Sequence, residues 1–289
     1  MGYNGVMQKN FDYCAALVRE ADRDRYLATL FAPVEHRDGL LALYAFNVEI
    51  TQVRDKAREP LPGEIRLQWW REMLEGVRGG EAAANPVAAA LKATLTRYGF
   101  VAAPLLELID ARLIDLYNEP MASVADLELY AIRTQSPLFA MAAGILNAGK
   151  PLPELATLDA GVAYGIAGLL NGFGRHAARR QLYVPLEILD RHGVDREDIY
   201  AGESSQALLA ALADMRAIVR SHLTLAQANL KTVAPEVLPA FLPLALVGPQ
   251  LRRMDKSDYA PFQYVPLAPW RRQWLLWRAA RNPDRIFAA

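Results

Sequence analysis

The sequence predicts an all-α fold, and three observations support this prediction. No run of alternating β-branched residues occurs, and no Asn-Gly or Asp-Gly turn lies between apolar runs as in a hairpin. Apolar residues instead recur at helical spacing along most of the chain. Proline breakers separate these stretches, as at Pro33, Pro60 and Pro104. Because no linker-like tract or internal repeat divides the 289 residues, we predict one all-helical domain over 1–289.

The helical periods also place the individual elements. They predict helices near residues 10–20, 22–31, 36–57, 62–79, 84–98, 101–117, 123–147, 155–172, 205–231, 234–254 and 267–281. In the first of these we expect Tyr13 and Val18 to point inward. In the fourth we expect the stripe Ile65, Trp69, Met73 and Val77 to face the core, together with the pair Trp69–Trp70. Near Pro137 we expect a kink, with a plain turn between two helices as the alternative.

The stretch Gly39–Asp55 is the centre of the predicted fold. Glu49 is the only charged residue between Gly39 and Val53, and apolar residues cover nearly every side of the helix. A helix of this kind belongs in the interior of a domain. Its few polar side chains nevertheless line up at helical spacing: Asn47, Thr51, Arg54 and Asp55. This stripe indicates either a satisfied core network or the wall of a cavity.

Composition excludes several classes of function. The formal net charge is zero, which argues against nucleic acid as a partner. Cys14 is the only cysteine, so neither an intrachain disulfide nor a cysteine-rich zinc site can form. The longest apolar run, Val237–Gly248, has 12 residues and is too short to cross a bilayer. Since the first residues also lack the apolar core of a signal peptide, we expect a cytoplasmic protein, soluble or peripheral to the inner membrane.

Two neighbouring stretches contain the clearest chemical patterns. Glycines recur at i, i+4, i+7 and i+11, at Gly161, Gly165, Gly168 and Gly172. Each glycine costs a helix about 1 kcal/mol relative to alanine, so the pattern indicates close packing of a second helix or of a bulky apolar ligand. A basic cluster follows directly: Arg175, His176, Arg179 and Arg180, with no acidic residue between Ala160 and Val184. The cluster suits phosphate or carboxylate recognition, with a solvated basic turn as the alternative.

The last predicted helix carries tryptophan and arginine together. Trp270, Trp274 and Trp277 recur at i, i+4 and i+7, among four arginines. Two interpretations stay open at this point. The tryptophans either dock into the core or bind an anionic membrane surface.

Two sequence segments carry a family resemblance. YAFNVEITQVRD at 44–55 resembles the first aspartate-rich segment of squalene and phytoene synthases, and NGFGRHAARRQLYVP at 171–185 resembles the second. The stretches EIRLQWWREML and LELYAIRTQSPLFA follow the order and spacing of that family, so the resemblance covers nearly the whole chain. It implies an all-α isoprenoid-synthase fold with helices around a central cavity.

The resemblance also implies what each segment has lost. In the family, aspartates of both segments hold Mg²⁺ against the diphosphates of two prenyl substrates. Here the first two aspartates of the first segment fall on Thr51 and Gln52, and only the third is kept, as Asp55. The second segment keeps Asn171 but contains no acidic residue, and Gly168 stands where a glutamine is expected. A branch of the family with the same loss includes a mitochondrial assembly factor for respiratory complex I, which this chain resembles more than an active synthase.

Three functions follow from the resemblance and the residues. The first is a non-catalytic assembly factor, peripheral to the membrane, with a protein partner or a bound isoprenoid or other anionic lipid and without a cofactor. The second is a divergent prenyltransferase that uses Mg²⁺, with Asp55 and Glu49 as candidate catalytic residues and Asp115 as a further metal ligand. The third is a binding module for an acidic partner. The candidate substrate- or anion-binding residues are Tyr44, Asn47, Thr51, Asn171, Arg175, Arg179, Arg180 and Tyr183.

Overall fold

The computed structural model describes residues 3–57, 59–150, 154–231 and 233–287. Every regular element in these ranges is helical, which confirms the predicted all-α class. The α-helices are α1 (Tyr3–Ala21), α2 (Arg23–Thr29), α3 (Val34–Thr51), α4 (Val53–Lys56), α5 (Pro60–Leu74), α6 (Gly79–Ala84), α7 (Pro86–Tyr98), α8 (Ala103–Arg112), α9 (Val124–Leu146), α10 (Glu154–Asn171), α11 (Phe173–Ala178), α12 (Leu186–His192), α13 (Arg196–Ala201), α14 (Gln206–Leu230), α15 (Val247–Met254) and α16 (Pro269–Arg281). Short 3₁₀ helices cover Leu113–Leu116, Pro235–Leu246 and Pro283–Phe287.

The sequence patterns missed four short helices, and they predicted an α-helix where the chain begins with a 3₁₀ helix. Helices α6, α11, α12 and α13 have six or seven residues each, too few for a helical period to be visible. The predicted helix 234–254 begins as a 3₁₀ helix and becomes the α-helix α15 only at Val247. Pro239 and Pro243 lie in the 3₁₀ part and lack the N–H group that an α-helix requires.

The helices group into two compact units that alternate along the chain. Unit 1 is built from residues 1–116, 137–153 and 233–241. Unit 2 is built from residues 117–136, 154–232 and 242–289. The single domain expected from the sequence stays a prediction. None of the helices in the described ranges is long and apolar enough to cross a membrane.

Helix α3 forms the core of unit 1, as its composition predicts. Eleven of its residues are buried, including Leu40, Leu43 and Phe46, and it packs against α1 and α7. Gly39 allows the close approach of α7, because a Cβ at that position would lie 3.0 Å from the Tyr98 ring. The burial of apolar side chains on nearly all sides of this helix stabilises the unit.

The inward faces predicted for two helices in unit 1 are only partly confirmed. Val18 is fully buried as predicted, whereas Tyr13 is 49% exposed and its sequence neighbour Cys14 is buried. In α5, Met73 and Trp70 are buried as predicted, and Trp69 is half-buried. The predicted stripe is wrong at its two ends, because Ile65 and Val77 are 62% and 72% exposed and the helix ends at Leu74, before Val77. The buried residues of α5 are Gly63, Leu67, Trp70 and Met73.

Unit 2 contains the glycine-faced helix α10, which packs along α14 and beside α9. A Cβ at Gly161 would lie 2.2 Å from Oγ of Ser136, and one at Gly165 would lie 3.2 Å from Cβ of Ala131. Close helix packing, one of the two predicted reasons for the pattern, is therefore confirmed at these two positions. At Gly168, however, a Cβ would have open space around it: apart from the backbone of its own helix, no atom of the described residues would lie within 4 Å.

Helix α9 runs without interruption from Val124 to Leu146 and includes Pro137. The alternative of a plain turn between two helices was therefore wrong. The predicted kink stays a prediction. In front of the proline, the hydroxyl of Thr134 donates to the Tyr130 carbonyl at 2.7 Å, and the hydroxyl of Ser136 donates to the Leu158 carbonyl at 3.0 Å. These bonds satisfy two polar side chains that the apolar pattern leaves unexplained.

Candidate functional site

The first predicted segment lies on α3 and α4 in unit 1. Tyr44 and Asn47 are buried, with 3% and 4% of their surfaces exposed. Burial raises the pKa of Tyr44 to about 12, although the Arg25 guanidinium, 5.3 Å above the ring, acts in the opposite direction. The phenol therefore stays protonated over the whole physiological pH range. It remains a hydrogen-bond donor inside the core.

Asn47 is the unusual member of this segment. In the part of the chain that the structure describes, no donor lies within hydrogen-bond distance of its buried Oδ1. Buried amide oxygens nearly always have a partner. Thr51 does not supply one, because its hydroxyl donates to the backbone carbonyls of Asn47 and Val48, at 2.9 and 3.1 Å. The polar stripe is therefore not a fully satisfied core network, and its interpretation as the wall of a cavity stays a prediction.

The two candidate catalytic carboxylates differ in their surroundings. Glu49 is half-buried on α3, and its Oε1 lies 3.9 Å from Nζ of Lys56. Asp55 is exposed on the single turn of α4. Asp115, the further ligand considered, is nearly buried and pairs with Arg112 at 3.1 Å. Each of the three thus has its own local environment.

The first segment does not fit a magnesium cluster. Mg²⁺ prefers several hard oxygen ligands in octahedral geometry, mostly carboxylates, water and phosphate. The hydroxyl of Thr51 is committed to the backbone of its own helix, and Glu49 lies beside a lysine. Nowhere in the four described ranges do three His, Cys, Asp or Glu side chains come together as metal ligands.

The second predicted segment lies at the end of α10 and on α11 in unit 2. The amide Nδ2 of Asn171 donates to Oε1 of Gln250 on α15 at 2.7 Å. Both residues line a small cleft of about 80 Å³, together with Arg253 and the loop residues Tyr259 and Tyr264. Burial raises the pKa of Tyr259, so this phenol also stays protonated at neutral pH.

The loop before α16 lies directly on the second segment. A Cβ at Gly174 would lie 2.4 Å from the carbonyl oxygen of Phe262. The rings of Phe173 and Phe262 are 5.3 Å apart. A side chain at position 174 would therefore displace the loop. Glycine is required there because a backbone approaches closely, a reason that the local sequence does not reveal.

The members of the basic cluster differ in exposure and in pairing. Arg175 and Arg179 are exposed. Arg180, in the left-handed region at φ 55°, donates to both carboxylate oxygens of Glu197, at 2.8 and 3.0 Å. Its guanidinium also lies 4.4 Å from the ring centroid of Tyr200. The acidic partner comes from α13, outside the stretch without acidic residues.

The rings of Tyr183 and His176 pack against each other. Their rings are 4.9 Å apart in an edge-to-face arrangement, and the ring of Tyr130 lies 5.8 Å from that of Tyr183. The imidazole also fills the space in which a Cβ at Gly172 would lie, 2.5 Å away.

Comparisons with known proteins identify the family of this chain. A model of the squalene/phytoene synthase family matches residues 18–278. The chain belongs to the squalene/phytoene synthase family. It is 30% identical to NADH dehydrogenase (ubiquinone) complex I, assembly factor 6, of Homo sapiens, over 86% of this chain and 75% of that protein. It is also 22% identical to a phytoene synthase of Arthrospira platensis, over 89% of this chain and 88% of that enzyme.

Solved structures confirm the fold of this squalene/phytoene synthase family member. A dehydrosqualene synthase in complex with a ligand superimposes with a TM-score of 0.83 at 18% identity. The match covers 96% of this chain and 98% of that one. The predicted isoprenoid-synthase fold is therefore confirmed. At this identity the likeness concerns the fold and not the chemistry.

Sequence reasoning missed one polar network in this family member. Nδ1 of His222 lies 2.8 Å from Oδ1 of Asp159, and its Nε2 lies 3.2 Å from Oε1 of Glu128. Asn229 donates to the other oxygen of Asp159 at 3.1 Å. The network joins α9, α10 and α14 within unit 2. The only signal in the sequence is that Asp159 is the last charge before a long uncharged stretch.

Proposed function

We propose that this chain is an assembly factor for a respiratory NADH dehydrogenase complex and does not transfer prenyl groups. The proposal takes its partner from the assembly factor 6 relative, whose name describes that role. It takes the lack of catalysis from the chemistry of the two segments. It includes a peripheral position at the inner membrane, where such a complex is built.

One observation supports the proposal that this chain does not transfer prenyl groups. The second segment has no carboxylate, and Asn171, a family position that it keeps, uses its amide to bind Gln250. Departure of a diphosphate requires that its developing negative charge be neutralised. Exposed Arg175 and Arg179 can attract an anion but cannot replace several metal ions in that step. We therefore propose that they hold an anionic isoprenoid or lipid without metal.

Deletion of the gene in the cell of origin tests the assembly role. We expect the amount of fully assembled NADH dehydrogenase complex on native gels to fall, and a copy of the wild-type gene to restore it. A copy with Asp55→Asn should restore it equally, since no catalysis is involved. Unchanged assembly after deletion would contradict the proposed role. Rescue by the wild-type copy but not by the Asp55→Asn copy would instead favour catalysis.

Retention of Asp55 favours one second candidate, a divergent prenyltransferase. Asp55 is exposed on α4 and stands at an aspartate position of the family. A transferase would need further metal ligands from substrate or water, since Thr51 and Glu49 are otherwise engaged. Turnover that requires both Mg²⁺ and Asp55 would establish this alternative.

A further inference from the structure

Helix α16 exposes an unusual amount of aromatic surface. Trp270, Trp274 and Trp277 are 70%, 45% and 44% exposed. The same helix is anchored in unit 2 by Leu276 and Ala279, which are 0% and 1% exposed. The tryptophans therefore do not dock into the core, so that interpretation of the sequence was wrong. Three exposed tryptophans on one short helix need a partner.

The tryptophans form a single ridge opposite the anchored face. A helix turns by about 100° per residue, so positions 270, 274, 277 and 281 fall within a narrow sector. The buried positions 276 and 279 fall in the opposite half of the wheel. The ridge extends for about 16 Å along the axis at 1.5 Å per residue. It is therefore a continuous convex edge rather than a set of scattered apolar residues.

The charges within α16 have one sign, and Asp284 and Arg285 follow in the 3₁₀ helix that packs on it. From Tyr259 to Pro283 the sequence contains four arginines and no acidic residue. The guanidinium of Arg278 lies 4.3 Å from the ring centroid of Trp274, and that of Arg281 lies 4.2 Å from the ring centroid of Trp277. Stacked guanidinium groups stay at the level of the rings and keep donors available for phosphate oxygens.

We propose that α16 binds the surface of a membrane that contains anionic phospholipid, with Trp270, Trp274 and Trp277 at the depth of the headgroups. Tryptophan favours this interface because its ring is apolar and its indole N–H is a donor. Arginines at the same depth pair with lipid phosphates, and each contributes about fivefold to partitioning. The charge complementarity and the convex shape favour a deformable lipid surface over a pocket in a protein. The inference names the surface that would give the peripheral position included in the proposed function, and it does not depend on the assembly role itself.

Vesicle sedimentation tests this proposal on the full-length protein. The probes are vesicles of phosphatidylcholine alone and vesicles with about 30% phosphatidylglycerol. We expect binding to the anionic vesicles, a blue shift of tryptophan emission, and loss of most binding in about 0.5 M salt because screening weakens charge attraction. Three of the five tryptophans lie on the ridge, so the emission reports on it directly.

Matched variants distinguish membrane binding by this ridge from nonspecific binding by exposed apolar side chains. We expect the triple variant Trp270→Ala, Trp274→Ala, Trp277→Ala to partition at least about tenfold less onto anionic vesicles. The control replaces three exposed leucines elsewhere in unit 2, which are 45%, 62% and 47% exposed: Leu129→Ala, Leu155→Ala and Leu225→Ala. This control should bind like wild type. Circular dichroism verifies that both variants keep their helices.

The outcomes are distinct. Equal partitioning of the wild type and the tryptophan variant would overturn the proposal, as would equal binding to neutral and anionic vesicles. Absence of vesicle binding at low salt would also overturn it and would leave the ridge to a protein partner. Since none of these results depends on assembly of the NADH dehydrogenase complex, failure here would count against the proposed membrane position but would leave the proposed assembly role standing.

Discussion

The side-chain amide of Asn171 donates a 2.7 Å hydrogen bond to Oε1 of Gln250. The bond joins the end of α10 to α15 across 79 residues of sequence. Asn171 is thus part of the internal structure of unit 2.

We predict that Asn171 and Gln250 stabilise the fold as a pair. Asn171→Ala and Gln250→Ala should each lower the free energy of unfolding by about 1 kcal/mol, because each removes a partly buried hydrogen bond. Chemical denaturation of the single and double variants measures the coupling. The double variant should cost about 1 kcal/mol less than the sum of the single variants. Strict additivity would show that the bond contributes nothing.

A second prediction contrasts two glycines of the same helix. Gly161→Ala should lower the free energy of unfolding by about 1–3 kcal/mol, since the new Cβ would lie 2.5 Å from backbone atoms of Ser136. Gly168→Ala should raise it by up to about 1 kcal/mol, because alanine favours the helix and the space is open. Thermal unfolding of both variants compares them directly. Equal effects would contradict the packing described for α10.

Local patterns predicted more of the fold than of the site. The burial of α3 followed from its composition, and the packing at Gly161 followed from glycine spacing. Two members of the predicted α5 stripe, Ile65 and Val77, are apolar yet exposed. Apolar periodicity alone therefore does not decide which positions are buried. The contacts of the site were beyond such patterns. Glu197 reaches Arg180 from 17 residues away, and Phe262 reaches Gly174 from a different part of the chain, so tertiary structure alone brings them together.

A third prediction concerns the network around His222. Asp159→Asn should lower the free energy of unfolding by about 2–4 kcal/mol, because it weakens the bonds of a nearly buried carboxylate to both His222 and Asn229. Glu128→Gln is the matched control. That carboxylate is 35% exposed and makes one longer contact, so its loss should cost less than about 1 kcal/mol. A larger loss of stability in Glu128→Gln than in Asp159→Asn would contradict the conclusion that Asp159 is the more important partner of His222.

A fourth prediction concerns alkaline pH. Burial, and then the negative charge of Asp38, raises the pKa of Cys14 from 9.0 to about 12. Burial likewise raises the pKa of Tyr44 from 10.0 to about 12. The folded state thus binds these two protons more tightly than the unfolded state. The stability present below about pH 9 should therefore decrease as the pH rises toward 12.

Thiol labelling checks the cysteine half of that prediction. At pH 8 an aromatic disulfide reagent should leave Cys14 unmodified in the native protein and modify it completely in denaturant. For the tyrosine, Tyr44→Phe should reduce the loss of stability measured between pH 10 and 12. Rapid native labelling at pH 8, or an unchanged pH dependence in the Tyr44→Phe variant, would contradict the burial of these groups.

The most direct test of the central claim is product analysis after incubation with farnesyl diphosphate and with geranylgeranyl diphosphate, each with Mg²⁺. Calorimetry on the same samples measures binding. The proposed function predicts no condensed hydrocarbon product, and binding of the diphosphate that is the same with and without the metal. A squalene- or phytoene-type product that disappears in the Asp55→Asn variant would contradict it and would establish a working prenyltransferase.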